Sequence, residues 1–368
     1  MHLVQPAPNP PVMVMPDNTT IVKPASNPPV MVMPEMYNKN KSEKTLAPTA
    51  TLYSHGDPTP IEQVLLEYIN RARANPKDEG IRIYNTTDPY ILSNASRCGV
   101  NMKTVRDEFA TYPVKPPIAF NKNIITAARL HSDWMVETGI MDHVGRNGST
   151  FSQRMVAAGY TSTGASGENI FKDARDPWFS HLGFQIDWCN PDLGHRQNIM
   201  NFSGGAYKEM GIGVTPHSGM IAVTHDFGSQ LNSFICGVVY KDNNNNNFYD
   251  IGEGLSGVTI TASKGNYYAV SSTSGGYAIP VEPGTTGSVT IEAKGGALGS
   301  TVVKNAVLSG QNVKVDFTSP LPGQVSLEYP GLSAVLTQKA VTFKWFKSPG
   351  NVSDIGSNFP IMKTLRIL

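Results

Sequence analysis

Three residues are candidates for a functional site because of their types and their sequence surroundings: His143, Glu168 and His195. Both histidines lie close to a glycine, in loop-like stretches where the backbone can hold a side chain over a cleft. Two imidazoles and one carboxylate form a ligand set that suits zinc or another divalent ion. We therefore predict a divalent-metal site at these residues, with Glu168 as the candidate catalytic base if a metal-bound water is the nucleophile.

The same residues also admit a purely structural explanation. Glu168 can accept hydrogen bonds from backbone amides near a helix start, and the histidines can donate hydrogen bonds to buried carbonyls. His131 lies on the apolar face of a predicted helix, where a histidine is more often a hydrogen-bonded core residue than a ligand, and we keep it as a candidate cleft residue. The sequence contains neither a His-Glu-x-x-His pair nor a Gly-x-Ser-x-Gly elbow. An enzyme is therefore the less favoured interpretation.

Further short motifs accompany these residues between positions 59 and 232. They are Glu67-x-x-Asn70-Arg-Ala-Arg-x-Asn-Pro76, Met141-Asp-His143, Ala158-Gly159-Tyr160, Gly167-Glu168-Asn169-Ile170, Gly194-His195-Arg196-Gln-Asn198-Ile199, Met210-Gly-Ile-Gly213 and Asp226-Phe-Gly228. In order and spacing they resemble the CAP superfamily of cysteine-rich secretory proteins, plant pathogenesis-related proteins and insect venom allergens. The resemblance implies an α+β domain at residues 59–232, built as a three-layer α-β-α sandwich.

The resemblance also implies a cleft that holds two histidines and two acidic residues and binds zinc or another divalent ion. His143, Glu168 and His195 match three of these positions. The fourth, a glutamate before the Gly-His motif, has no clear counterpart, and Asp187 or Asp192 can replace it. Many members of the family act by binding, so we expect a small molecule, a lipid or a peptide as the ligand.

A second set of candidate ligands lies in one contiguous loop. Its members are Asp242, Asn244, Asn246, the carbonyl of Phe248, Asp250 and Glu253. They fall at positions 1, 3, 5, 7, 9 and 12 of a calcium loop. Position 6 is Asn247 where glycine is usual, and asparagine tolerates the left-handed conformation needed there. The asparagine tract alone satisfies two positions, so the predicted Ca²⁺ site depends on the three acidic residues, and the alternative is a solvated polar turn.

Strand and turn signals dominate the chain after Phe234 and are typical of a β-sandwich. The predicted strands are 234–240, 258–262, 267–272, 289–293 and 313–317. With the calcium loop, residues 233–318 resemble the B-like repeats of bacterial surface adhesins. That resemblance implies an all-β, extracellular stalk or spacer that calcium stabilises.

The predicted domains are flanked by segments of different composition. Residues 1–58 are rich in proline and contain the repeat NPPVMVMP twice, at Asn9–Pro16 and Asn27–Pro34. Such a segment cannot complete its backbone hydrogen bonds or bury itself, so we predict a disordered, polyproline-like spacer, the alternative being a short recognition motif. Residues 319–368 contain one strand-like run, Val341–Trp345, and are predicted to be a truncated β module or a disordered tail.

Helix signals are clear at three places in the CAP-like region. Thr59-Pro60-Ile61-Glu62 combines a capping threonine, a first-turn proline and a glutamate three residues after the cap, and Asn75-Pro76 ends that helix. Further helices begin at Asn121 and at Thr150, the latter ending at Gly159. Two short strands, Met210–Val214 and Met220–Thr224, enclose a hairpin signal.

Composition narrows the class of protein. Lys and Arg number 30 against 29 Asp and Glu, so the chain has no strong positive electrostatic field that would attract a phosphate backbone. Nucleic acid is therefore not an expected partner. No apolar stretch is as long as a membrane span. Met1 leads into the proline-rich segment instead of a signal peptide, so either the protein is cytosolic or the true start lies upstream.

The three cysteines are Cys98, Cys189 and Cys236. Three buried thiols are the favoured expectation, and one disulfide with one free thiol is the alternative in an exported chain, with the pairing left open.

These observations predict a secreted or cell-surface protein that binds a ligand in a metal-capable cleft and is carried on a calcium-stabilised stalk. Cell-surface components are further candidate partners. One alternative is a metal-assisted hydrolase of peptides or cell-envelope polymer. Another is a structural or adhesive protein whose cleft is vestigial.

Overall fold

The computed structural model describes residues 50–202 and 206–319, together with the backbone of two strands at 326–329 and 344–346. The helices are α1 (Pro60–Ala74), α2 (Pro76–Tyr84), α3 (Pro89–Arg97), α4 (Met102–Phe109), α5 (Lys122–Thr138), α6 (Phe151–Ala157), α7 (Pro177–Ile186) and α8 (Gly194–Met200). The strands are β1 (Thr51–Tyr53), β2 (Ala119–Phe120), β3 (Gly167–Ala174), β4 (Glu209–His217), β5 (Met220–Gly228), β6 (Ser233–Tyr240), β7 (Thr259–Ala262), β8 (Tyr267–Val270), β9 (Gly276–Val281), β10 (Thr286–Lys294), β11 (Val302–Ser309), β12 (Val313–Lys314), β13 (Phe317–Thr318), β14 (Ser326–Tyr329) and β15 (Lys344–Phe346).

The helix starts predicted from the sequence are confirmed. The Thr59 hydroxyl accepts the N–H of Glu62 at 3.2 Å, and the Glu62 carboxylate accepts the N–H of Thr59 at 2.7 Å, which completes a capping box. Asn121 caps α5, and Thr150 with Gln153 forms a second capping box at α6. These caps fix the start of each helix.

The first sheet has the strand order β2-β4-β5-β3, with β2 parallel to β4 and the other pairs antiparallel. Alternate residues of β4 face opposite sides. Met210 and Ile212 join the main core beneath α1, α7 and α8, whereas Gly211 and Gly213 face α5. A Cβ added to Gly211 would lie 2.1 Å from the backbone of Ile124, so α5 packs directly on the strand. Helices therefore cover both faces of this sheet.

Strands β6 to β13, together with β1, form two further sheets around a separate core. One sheet has the order β1-β8-β7-β10-β11, and in the other β6 is flanked by β12 and β13 on one edge and by β9 on the other. The sequence prediction missed β9 and β11. Pro280 lies inside β9 and argues against a strand. Among the described strands, however, β9 pairs with β6 alone and so tolerates a residue without an N–H.

Strand β6 is buried along its whole length. Ile235 and Val239 point into the core between the two sheets. Phe234 and Val238 point the other way, where they pack with Ala119 and Val64 of the preceding domain. Because both faces are covered, β6 has a continuous apolar sequence instead of an alternating one.

One predicted boundary needs correction. Residues 50–58 are not part of a disordered spacer, because β1 pairs in parallel with β8 and the Tyr53 ring lies 6.1 Å from that of Phe234. Both copies of the NPPVMVMP repeat lie outside the described residues. In the predicted tail, β14 pairs with β15, which overlaps the expected strand at 341–345, and the remainder again lies outside the described residues.

The expectation of three buried thiols is also wrong. Cys98, at the end of α3, forms a disulfide with Cys189 in the loop after α7, with a Cα–Cα distance of 5.0 Å. Cys236 is free and buried in β6. Among the described residues, none of the helices combines the length and apolarity needed to cross a membrane.

Candidate functional site

Glu168 is the centre of the first part of the site. It lies on the edge strand β3, and its side chain is 1% exposed. One carboxylate oxygen lies 2.8 Å from Nδ1 of His143, and the other forms an ion pair with the Arg154 guanidinium from α6. His131 Nε2 is 3.8 Å from the second oxygen. Both oxygens of Glu168 are thus engaged by cationic or imidazole groups.

The charges of these groups shift one another's pKa values. Burial opposes ionisation of Glu168, but the hydrogen bond from His143 and the charge of Arg154 outweigh it and lower the pKa of the carboxyl. The hydrogen bond to Glu168 in turn raises the pKa of His143. Asp226 lies opposite Glu168 in the β3–β5 register, and burial together with the Glu168 charge raises its pKa well above the usual range. The site therefore places a carboxyl whose pKa is lowered, Glu168, opposite one whose pKa is raised, Asp226.

His131 has a structural role here. Its Nε2 lies 3.0 Å from the carbonyl oxygen of Asp142, which can only accept, so Nε2 donates. The ring is buried, stacks on Trp134, and has a pKa that burial lowers. His131 therefore anchors the loop that presents His143 and is not itself displayed in a cleft.

His195 is held by a different carboxylate. Its Nδ1 lies 2.7 Å from Oδ1 of Asp187, whose other oxygen accepts the backbone N–H groups of His195 at 2.9 Å and Arg196 at 3.2 Å. Asp187 follows α7 in the left-handed conformation, with φ of 57°. Asp192 is exposed, and its carbonyl accepts a hydrogen bond from Gln197. Of the two acidic residues predicted for the fourth position, Asp187 is the one that contacts a site histidine.

Two asparagines connect the His143–Glu168 and His195–Asp187 pairs. Asn169 on β3 donates to the carbonyl of His195 at 3.1 Å, and Asn198 on α8 donates to the carbonyl of Glu168 at 3.3 Å. The two pairs are therefore attached to adjacent residues of one edge strand. These contacts explain the spacing of the Gly-Glu-Asn and Gly-His-Arg-x-x-Asn motifs.

The two histidines share one arrangement. Each directs Nδ1 to a carboxylate that is 1% exposed, while the His143 side chain is 55% exposed and that of His195 is 28% exposed. Metal-ligating histidines are commonly oriented in this way, with the remaining ring nitrogen, Nε2, as the ligand. Within the described ranges, no group of three His, Cys, Asp or Glu residues is arranged to hold an ion. The metal site at His143, Glu168 and His195 stays a prediction, and Glu168 has the contacts of an orienting group.

Sequence inspection missed two residues of the site. Arg154 was placed only on the third helix, and Asp226 only within a strand motif. Neither carries a local signal of its role, because each reaches Glu168 through tertiary packing.

In the loop at 242–253, Asn247 has the left-handed backbone expected at position 6 of the motif. Asp242 accepts the N–H groups of Asn246 at 3.1 Å and Asn247 at 2.9 Å, and Asn247 is left-handed with φ of 58°. Asn244 and Asn246 both donate to Asp250 at 2.7 Å. The Glu253 carboxylate accepts the N–H groups of Asn243 and Asp250. The oxygen-only donor set fits Ca²⁺ chemically, and the ion itself stays a prediction.

The same loop contacts the preceding domain. The Phe248 ring stacks on Tyr68 of α1 with centroids 5.5 Å apart and an interplanar angle of 1°. The Arg71 guanidinium lies 4.7 Å from the centre of the Phe248 ring and 5.3 Å from that of Trp178. The loop is therefore part of the interface between the two domains.

Residues 66–227 match the model of a family described as CAP, the cysteine-rich secretory protein family. Residues 66–227 form a CAP domain. No curated protein matches the chain. Among solved structures, the chain is similar to an extracellular protein containing a SCP domain from Bacillus anthracis str. Ames, at 22% identity and a TM-score of 0.27. The similarity covers 35% of this chain and 37% of that one, so the chain spans little more than a third of that protein.

The CAP domain includes both histidine–carboxylate pairs and ends before the predicted calcium loop. The resemblance of residues 233–318 to adhesin B-like repeats stays a prediction.

Proposed function

We propose that this is an exported CAP-domain protein that binds a divalent metal ion, together with an amphipathic ligand, at His143 and His195. The observation that carries the proposal is the orientation of both rings. Each imidazole is partly exposed and is held at Nδ1 by a buried carboxylate, which leaves Nε2 for an ion. Zinc suits two such nitrogens, with water or ligand atoms at the remaining positions.

The surroundings of His143 support a ligand with an apolar part. Ile140, Met141 and Val144 are 52%, 57% and 50% exposed. Three large apolar side chains next to a partly exposed imidazole favour a small molecule, lipid or peptide that presents both a polar group and an apolar surface.

The contacts of Glu168 do not favour the hydrolase alternative. A general base needs a free carboxylate oxygen near the water that it activates, and both oxygens of Glu168 already have partners. Its lowered pKa also makes it a weak base. Binding without turnover is therefore the function that we propose.

Export is supported by two observations. The CAP family is described as secretory, and the Cys98–Cys189 disulfide is of a kind that persists in oxidising compartments. We further propose that Ca²⁺, which is millimolar outside cells, fills the loop at 242–253 and stabilises the β-rich region as a rigid support for the CAP domain.

The test is calorimetric titration of the full chain with zinc. We expect one ion per chain in the CAP domain and loss of that binding in the His143→Ala/His195→Ala variant. His217→Ala is the matched control, because His217 is a partly buried histidine on β4 that pairs with Asp173 and not with Glu168 or Asp187. Equal binding by the wild type and the double variant would overturn the proposal and favour an adhesive protein with a vestigial cleft.

A further inference from the structure

We propose that the Cys98–Cys189 disulfide is a redox-sensitive positioning device for His195, so that the metal site is fully assembled only while the bond is oxidised. The inference deepens the proposed function, since it concerns one of the two proposed metal ligands. It follows from how the loop between α7 and α8 is held.

That loop, residues 187–193, has an unfavourable backbone. Asp187, Cys189 and Leu193 have φ values of 57°, 59° and 52°, in the left-handed region that residues with a Cβ rarely adopt. Such conformations persist only where the surrounding structure imposes them. The loop therefore needs an external constraint, and Asp187, which orients His195, lies at its first position.

Packing constrains the loop on one side only, through Trp188. A cavity of about 580 Å³ lies beside the loop and is lined by both cysteines, Asp187, Leu193, and by Val100 across the gap. The hydrogen bonds described for Asn190, Asp192 and Leu193 end within residues 187–197.

Besides the hydrogen bonds of Asp187 to α7 and α8, two side-chain contacts described in the structure connect the loop to the rest of the domain. The Trp188 ring contacts Phe171 and Phe179, with centroids 6.3 and 5.9 Å away, and the disulfide joins Cys189 to the end of α3. The disulfide holds the loop on the side that faces the cavity, where few side chains pack against it. Breaking it releases the loop there, and with it the carboxylate that holds Nδ1 of His195.

The bond is accessible in the folded protein. Cys189 is exposed and Cys98 is half-buried, so a small dithiol can attack without prior unfolding. The dithiol supplies two electrons and two protons and becomes a disulfide, while Cys98 and Cys189 become thiols. Cys236 is buried, and burial raises its pKa to about 12, so it takes no part in the exchange.

The experiment uses the full chain and two readouts. In metal-free protein, nitrogen–proton NMR of the imidazoles follows His195 and His143 before and after dithiothreitol. We expect the Nδ1–H signal of His195 to broaden or disappear, and that of His143 to stay unchanged. The Cys98→Ser/Cys189→Ser variant should resemble the reduced protein without reductant, and Cys236→Ala should respond as the wild type does.

Zinc titration of the serine variant supplies the second readout, because dithiothreitol itself binds zinc. Loss of an orienting contact typically weakens metal binding by roughly 10–100-fold, and we expect a loss in that range. Unchanged His195 signals and unchanged zinc affinity would overturn the inference and leave the proposed metal site intact. Loss of the His143 signal as well would also overturn it, since the disulfide would then stabilise the whole domain. If His195 loosens but neither form binds zinc, the positioning role stands and the proposed function fails.

Discussion

The two candidate ion sites are built in opposite ways. The His143–Glu168 pair is assembled from distant segments, since Glu168 bonds His143, 25 residues away, and Arg154, 14 residues away. The predicted calcium loop takes all its candidate donors from residues 242–253. In the first site the carboxylates are buried and only the imidazoles are presented, whereas most of the loop is exposed. Tertiary structure thus holds the first site in place without an ion, while the second has local hydrogen bonds that an ion would reinforce.

The largest change in unfolding free energy should appear when one carboxylate is removed from the first site. Glu168→Ala leaves Arg154, whose side chain is 9% exposed, without its partner, and breaking a buried pair costs about 3–5 kcal/mol of unfolding free energy. Glu137→Ala is the matched control, because Glu137 pairs with Arg146 on the surface and should contribute at most about 1 kcal/mol. Urea unfolding of both variants measures the contrast. Equal losses would show that the Glu168 network is not a buried ion-pair centre.

Calcium binding at the second site should have the next largest effect on the stability of the folded chain. At a free concentration about 100 times its dissociation constant, Ca²⁺ would stabilise the folded chain by about 2.7 kcal/mol. Thermal unfolding in calcium against a chelator measures this, and Asp250→Asn/Glu253→Gln should remove the difference. A melting temperature indifferent to calcium in the wild type would contradict the calcium assignment.

The contact between the two domains predicts a smaller loss. Phe248→Ala removes the ring stacked on Tyr68 and under Arg71, and a partly exposed aromatic in such a contact should contribute about 1–3 kcal/mol. Ile251 lies in the same loop and is 53% exposed, so Ile251→Ala should change stability by less than about 0.5 kcal/mol. Chemical unfolding distinguishes the two, and equal effects would argue that the loop is not docked on the CAP domain.

The smallest effect is a shift in titration. His143 should titrate above its ordinary value of 6.5, and Glu168→Gln should return the midpoint towards that value. Because the folded pKa of His143 is raised, its contribution to stability is complete below pH 6.5 and is lost as pH rises through the raised value. The contribution of Glu168 is present above its ordinary value of 4.5 and is lost as pH falls through its lowered pKa.

Both contributions are therefore present between pH 4.5 and 6.5. NMR titration of the imidazole protons checks the His143 midpoint. A midpoint at or below the ordinary value in the wild type would contradict the His143–Glu168 hydrogen bond.

The same contrast between local and distant contacts explains which features of the fold and the site could be predicted from the sequence. Helix caps such as Thr59–Glu62 and the left-handed Asn247 depend on neighbours within a few residues, and both were predicted correctly. Arg154, Asp226 and the Cys98–Cys189 pairing depend on which segments meet in space, and no local pattern specifies them. β1 was missed for the same reason, because its partner β8 is more than 200 residues away.

The most direct test of the central claim is anomalous diffraction at the zinc edge from crystals of the full chain grown with zinc. We predict one peak about 2.0–2.1 Å from Nε2 of both His143 and His195. A peak on one histidine alone, or none at either ring while zinc is bound elsewhere, would contradict the claim that the two pairs form one metal site.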